Sequence, residues 1–216
     1  LRSSAAAQLR EWLKSCAENH NTCSDTTLKD TSWYPTRSSD LGNQLMNQKD
    51  FKLIETTRKI LERNYVAPSH CWGCENLLKS HRNNLKIFLI GLPLLPKSFD
   101  DAGMVMRALG IRYLWIDSLC IIQDDDGDWL KESSLMHKIY RNAIFNLSTS
   151  ASRNISEGLT RERSSGLILG PTLQFTSPYT NKIFYLDENL FDREVESAPL
   201  QMVSHLYEKF KTILGN

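Results

Sequence analysis

The sequence predicts an α/β protein built on a parallel sheet, with irregular N- and C-terminal segments. Three observations carry this. A helical pattern at 98–109 is followed by a near-continuous apolar run at 113–122. A second helical pattern at 128–143 is followed by an alternating run at 144–151. Helix, strand, helix, strand at this spacing is the mark of βαβ crossovers, and a strand covered on both faces reads as continuously apolar.

Taken in order, residues 5–17 suit a short helix, and 19–44 are polar and turn-rich, read as loop. "FKLIETT" (51–57) and "NYVAPSHCW" (64–72) read as strands, the second running into a turn at Gly73. Residues 75–84 are weakly helical, and "KIFLIGL" (86–92) is a strand or buried loop ended by Pro93. Ser98 followed by Asp101 fits a helix N-cap, with Phe99, Ala102, Val105, Met106 and Leu109 at helical spacing and Gly110 as the stop. "YLWIDSLCII" (113–122) is the buried strand, "QDDDGD" (123–128) a polar turn, and Asp128 the cap of a helix to 143. "KIFYL" (182–186) is an edge strand and 203–216 a terminal helix. The organisation expected is an N-terminal helix and loop at 1–43, a domain at 44–200 and a divergent tail at 201–216.

Composition bounds the function. The chain has 216 residues, 41% of them hydrophobic and 24% charged, an ordinary globular balance. The net charge of +1 argues against a nucleic-acid partner, which asks for a basic stripe. No run approaches the roughly 18–20 apolar residues of a membrane span. With five cysteines and no leader-like start, a reduced, cytoplasmic location is expected, without a disulfide framework. The chain begins at Leu1, as expected of part of a longer protein.

"HCWGC" (70–74) leaves three readings open: a redox dithiol, half of a metal site, or neither. A zinc site would join Cys16, His20 and Cys23 to Cys71 and Cys74, without the tidy knuckles usual for zinc. A thioredoxin-like dithiol would open a helix directly after a buried strand. The acidic run at 124–128 fails as a calcium loop, because aligning Gly127 with the loop glycine puts Ile122 and Ser133 at ligand positions.

Two carboxylates stand out. Glu132 lies in the apolar stripe of Leu135, Met136, Ile139 and Ala143, where a carboxylate is costly unless paired or used. It is either a structural Glu satisfied by backbone donors, an Arg or the helix dipole, or a functional group. Asp117 interrupts the apolar run near the carboxyl end of a strand, where α/β sheets bind ligands; it either caps a turn or serves a site.

Three blocks, "WYPTRSSDLG" (33–42), "YVAPSHCWG" (65–73) and "LPKSFDDAGMVMRALGIRYLWIDSLCIIQDDDGDWLKESSLMHKIYRNA" (95–143), resemble the fungal heterokaryon incompatibility (HET) domain over roughly residues 20–165. In that resemblance Ser69, His70, Trp72 and Gly73 match the first block. Cys74 falls outside it, which makes the C-x-x-C spacing accidental and implies no metal site. Pro68 replaces the usual leucine. "EVESAPLQ" (194–201) approaches a further family block that residues 202–216 do not complete.

The resemblance implies a role in allorecognition and regulated cell death. It also implies a flavodoxin-like core comparable to Toll/interleukin-1 receptor (TIR) domains, many of which cleave NAD with a helix glutamate. Under that analogy Glu132 holds the ribose hydroxyls and stabilises an oxocarbenium-like transition state, and Asp117 shapes the site. Ser69, His70, Trp72, Gly73 and Trp115 line the ligand crevice. NAD enters as substrate, not cofactor, and protein partners or self-association are implied. The competing expectation is a non-enzymatic module that acts by assembly.

Overall fold

The computed structural model describes residues 3–20, 33–42, 51–56, 64–73, 77–150, 152–160, 175–176 and 183–184. The expected terminal helix at 203–216 and the block at 194–201 lie outside these residues, as do Cys23 and Cys74. The elements in order are α1 (Ser3–Asn19), β1 (Arg37–Asp40), β2 (Lys52–Glu55), β3 (Tyr65–Ser69), α2 (Leu85–Ile90) and α3 (Lys97–Leu109). They continue with β4 (Tyr113–Leu114), α4 (Asp117–Cys120), α5 (Asp126–Ser134), α6 (Met136–Asn142), β5 (Asn146–Ser148), β6 (Phe175–Thr176) and β7 (Ile183–Phe184).

The α/β class holds, and the sheet is mixed. Its order is β2-β1-β4-β3-β5. β4, β3 and β5 are parallel, as βαβ crossovers require, while β1 runs antiparallel to both β2 and β4. β6 and β7 pair separately, so the strand expected at 182–186 is present as two residues.

β1 replaces what polarity alone reads as loop. "RSSD" is buried throughout, and three of its four side chains are hydrogen-bonded; the Ser39 hydroxyl has no partner among the described residues. Asp40 takes a bidentate pair from Arg112 (2.6 and 2.7 Å) and the Gly42 amide. The Ser38 hydroxyl donates to the Leu114 carbonyl, and Arg37 Nε donates to the Cys120 carbonyl at 2.7 Å. A polar strand whose charged groups are paired can stand in the middle of a sheet.

β3 is also interior, and Pro68 sits where its partner changes. Tyr65 and Val66 pair with β4; Ala67, Pro68 and Ser69 pair with β5. The missing proline amide thus falls beyond the β4 ladder, which ends with Trp115 N donating to Val66 O at 2.8 Å.

Three helical readings need correction. The run at 113–122 is not one strand: β4 lasts two residues, and α4 turns helical inside the core. Leu119, Cys120 and Ile121 amides bond back to Ile116 and Asp117. A short apolar run does not distinguish a buried strand from a buried helical turn. Residues 86–90 of the run expected as strand or buried loop are helical, within α2, with Phe88 inward, and Gly91 caps the helix. The helix expected over 128–143 is two, meeting at Leu135. Ser133 and Ser134 hydroxyls donate to the carbonyls three residues back, which competes with the helical ladder and bends it. The N-cap of α5 is Asp125, accepting from the Asp128 amide at 3.1 Å, not Asp128.

α3 begins without a side-chain cap. Ser98 and Asp101 instead hold the 152–160 loop: the Gly158 amide donates to Ser98 Oγ and the Leu159 amide to Asp101. Gly110 ends the helix in the left-handed conformation, φ 76°, as expected. Phe99, Ala102, Val105 and Met106 join Tyr65, Val66, Leu114, Trp115, Ile116 and Leu119 in one core. Among the described residues no helix is long and apolar enough to cross a membrane.

Candidate functional site

The carboxyl ends of β3 and β4 lie side by side, and most of the singled-out residues follow from them. Ser69 ends β3, with His70, Trp72 and Gly73 behind it; Trp115 follows β4, and Asp117 opens α4. Asp117 is the hub. Its Oδ2 accepts from Trp72 Nε1 at 3.1 Å, its Oδ1 accepts from the Ser118 amide at 2.7 Å, and His70 Nε2 stands 3.8 Å from Oδ1. Asp117 therefore both holds a turn and faces the strand ends; its two sequence readings are not exclusive.

His70 is nearly enclosed, its side chain 2% exposed, with its ring edge-on to Phe99 at 5.0 Å. Neither ring nitrogen has a hydrogen-bond partner among the described residues. Burial lowers its pKa below the ordinary 6.5, and the Asp117 charge only partly opposes this. The unfolded chain therefore takes up the proton more readily than the folded one. Stability contributed by the neutral ring is lost as pH falls below about 6.5 towards the folded-state value. Urea denaturation of wild type and His70→Gln at pH 7.5 and 5.5 checks this. The wild type is expected to lose more stability on acidification than the variant, and equal losses would refute the assignment.

Trp72 is half-buried and held at one face and one edge. One face carries the Lys79 ammonium, 5.0 Å from the ring centre, and its Nε1 edge is tied to Asp117. Trp115 is fully enclosed, and its Nε1 has no partner among the described residues. The ring that meets it is Tyr140, edge-on at 6.1 Å. Gly73 adopts φ +68°, and a Cβ there would come 2.6 Å from Asn154 Cβ, so it serves close packing against the 152–160 loop.

Sequence reasoning passed over Tyr140. Its hydroxyl shares a side-chain hydrogen bond with Ser69 and feels the Asp117 charge; burial, foremost, and that charge push its pKa up to about 12. The phenol stays protonated. It follows Ile139 of the apolar stripe in α6, and its neighbours Trp115 and Ser69 come from other elements.

Glu132 lies one helix away, in the last turn of α5, at 0% exposure. Both carboxylate oxygens lack a hydrogen-bond partner among the described residues. Lys131 Nζ approaches Oε1 at 3.5 Å, an ion-pair contact from a side chain that is itself 60% exposed. Glu132 is thus closed off yet unsatisfied: an enzyme needs this carboxylate at an open crevice, and an assembly module would leave it closed off and satisfied. Glu132 and Asp117 both act on the Cys120 thiol, which is pushed up to about 12, chiefly by burial.

Cys71 is buried and free, and burial raises its pKa. It is not an activated nucleophile. Among the described residues no group of three His, Cys, Asp or Glu is placed to hold a metal ion.

No curated protein and no solved structure matches the chain. Residues 65–201, more than half of the 216, match the family described as Heterokaryon incompatibility protein (HET). That stretch holds every residue of the cluster at the strand ends, together with Glu132. The chain therefore belongs to the heterokaryon incompatibility (HET) family, which implies a role in heterokaryon incompatibility.

Proposed function

We propose that this HET domain acts in regulated cell death by cleaving NAD at the nicotinamide–ribose bond, with Glu132 as the key carboxylate. The supporting observation is that Glu132 is buried with both oxygens unpartnered among the described residues. An anion kept at that cost suits a cationic transition state that would repay it. In the reaction the C1′–N bond breaks and its electron pair leaves with neutral nicotinamide. Water attacks the oxocarbenium carbon and releases a proton, giving ADP-ribose. Asp117 shapes the site from the strand end. The reading requires that α5 yield enough to admit substrate to Glu132. The TIR comparison supports it as analogy of placement only.

The test is NAD content in cells expressing wild type, Glu132→Ala or Glu132→Gln at matched protein levels. Wild type is expected to deplete NAD and both variants to spare it, a loss of at least about 100-fold in rate for removal of a transition-state charge. Level NAD in all three, with folded protein present, refutes the activity.

The second reading is a non-enzymatic module acting by self-assembly. It is favoured by Ile87 and Ile90 of α2 and the nearby Leu94, which are large, apolar and exposed. Cell death with NAD unchanged, accompanied by concentration-dependent oligomers, would support it.

A further inference from the structure

We propose that Ser69, His70, Asp117 and Tyr140 form a subsite for a sugar diol, the ribose of a nucleotide. This rests on the proposed NAD chemistry and divides its labour: Glu132 answers developing charge, while the cluster at the strand ends grips hydroxyls.

The argument is one of donors and acceptors. Asp117 Oδ1 and Oδ2 each accept one hydrogen bond, from the Ser118 amide and from Trp72 Nε1. Each oxygen keeps a further lone pair. Asp117 has 20% of its side chain exposed, so a ligand reaches it. His70 Nε2 stands 3.8 Å from Oδ1, too far for a direct hydrogen bond, and both ring nitrogens lack hydrogen-bond partners among the described residues. One oxygen at about 2.8 Å from each bridges that gap. With the ring proton on Nε2, that oxygen donates to the carboxylate and accepts from the imidazole N–H. A hydroxyl does both; a carbonyl or an ammonium does not.

The second hydroxyl has its partner in Tyr140. The phenol is held to Ser69 and lies within the field of Asp117. A hydroxyl retains donor and acceptor capacity beyond a single bond. Tyr140 is braced edge-on against the enclosed Trp115, and Ser69 is fixed by the β3–β5 ladder, its carbonyl accepting from the Thr149 amide at 2.9 Å. The polar groups are therefore preorganised on two strand ends and one helix. The ring of Trp115 is buried and one face of Trp72 is covered by Lys79. The polar groups that face this point, Asp117 and His70, ask for a group that both donates and accepts.

The test is titration calorimetry of wild type, Tyr140→Phe and Ser69→Ala with two probes, ADP-ribose and nicotinamide. Tyr140→Phe keeps the ring against Trp115, and thermal unfolding verifies the fold of each variant. Wild type is expected to bind ADP-ribose, and each variant to bind it about tenfold more weakly, the loss of one hydrogen bond. Nicotinamide, which lacks hydroxyls, is expected to show no difference between the three proteins. ADP-ribose binding that is absent from wild type, or unchanged in folded Tyr140→Phe and Ser69→Ala, overturns the subsite. The two proposals fail separately. Tenfold weaker ADP-ribose binding with NAD level in cells removes the activity and keeps the subsite. NAD cleavage with unchanged KM in both variants does the opposite.

Discussion

Glu132→Met is expected to make the protein more stable, by ~1–3 kcal/mol. The residue is fully buried, and neither carboxylate oxygen has a hydrogen-bond partner among the described residues. Lys131 is the cation beside it, but its ammonium reaches Oε1 at 3.5 Å from a largely exposed side chain, where water screens the attraction. Desolvation of the carboxylate therefore outweighs what the pair returns. Methionine keeps the length of the side chain and removes the charge, and its flexibility lets it adapt to the buried site. Glu132→Ala removes the charge as well but leaves a cavity, so it gains less or loses. Urea denaturation reads the difference as a shift in midpoint at unchanged m-value. A loss of more than ~2 kcal/mol for Glu132→Met would instead mark the carboxylate as a structural keystone. Stability gained with activity lost is the usual relation at a functional site.

Arg37→Met is expected to cost ~3–5 kcal/mol, the largest loss of any single polar change considered. Arg37 is buried in β1, and its guanidinium makes a two-pronged pair with Asp128 of α5. Arg37 Nε also donates to the Cys120 carbonyl. Asp128 is further committed, accepting from the Ile122 amide at 2.8 Å. One ion pair thus ties the sheet to the segment between α4 and α5. Removing the arginine strands a carboxylate that is mostly out of water and releases the Cys120 carbonyl. Asp128→Asn keeps an acceptor for Ile122 and is expected to cost less. A double-mutant cycle of the two is expected to show coupling above ~1 kcal/mol. If the single losses add without coupling, the pair is not what joins β1 to α5.

Both predictions concern polar residues in places where the sequence pattern says little. "RSSD" at 37–40 carries no alternation and no apolar residue, and its burial depends on Arg112, Asp128 and the Leu114 carbonyl, up to 91 positions away. No local rule anticipates partners at that separation. The apolar run at 113–122 was legible as buried but not as a strand-to-helix turn, because both conformations bury it equally. The break at Leu135 depends on two serine hydroxyls choosing main-chain carbonyls over water, a local event with no apolar signature. Tyr140 was missed because its neighbours Ser69 and Trp115 come from distant parts of the chain.

The sequence by itself determined the α/β class, the α3 helix with its glycine stop, the parallel sense of β4 and β5, and Glu132 as a carboxylate on a buried face. These follow from apolar periodicity and local backbone chemistry, which act within a few residues. That β3 lies between those two strands came from the tertiary structure. Tertiary structure alone decided the antiparallel placement of β1, the convergence of His70, Trp72, Asp117 and Tyr140 at the strand ends, and the isolation of Glu132. Each of these depends on which polar group meets which across the fold. Burial makes such meetings decisive: in water a carboxylate needs no partner, whereas in the core one partner is the difference between stability and cost.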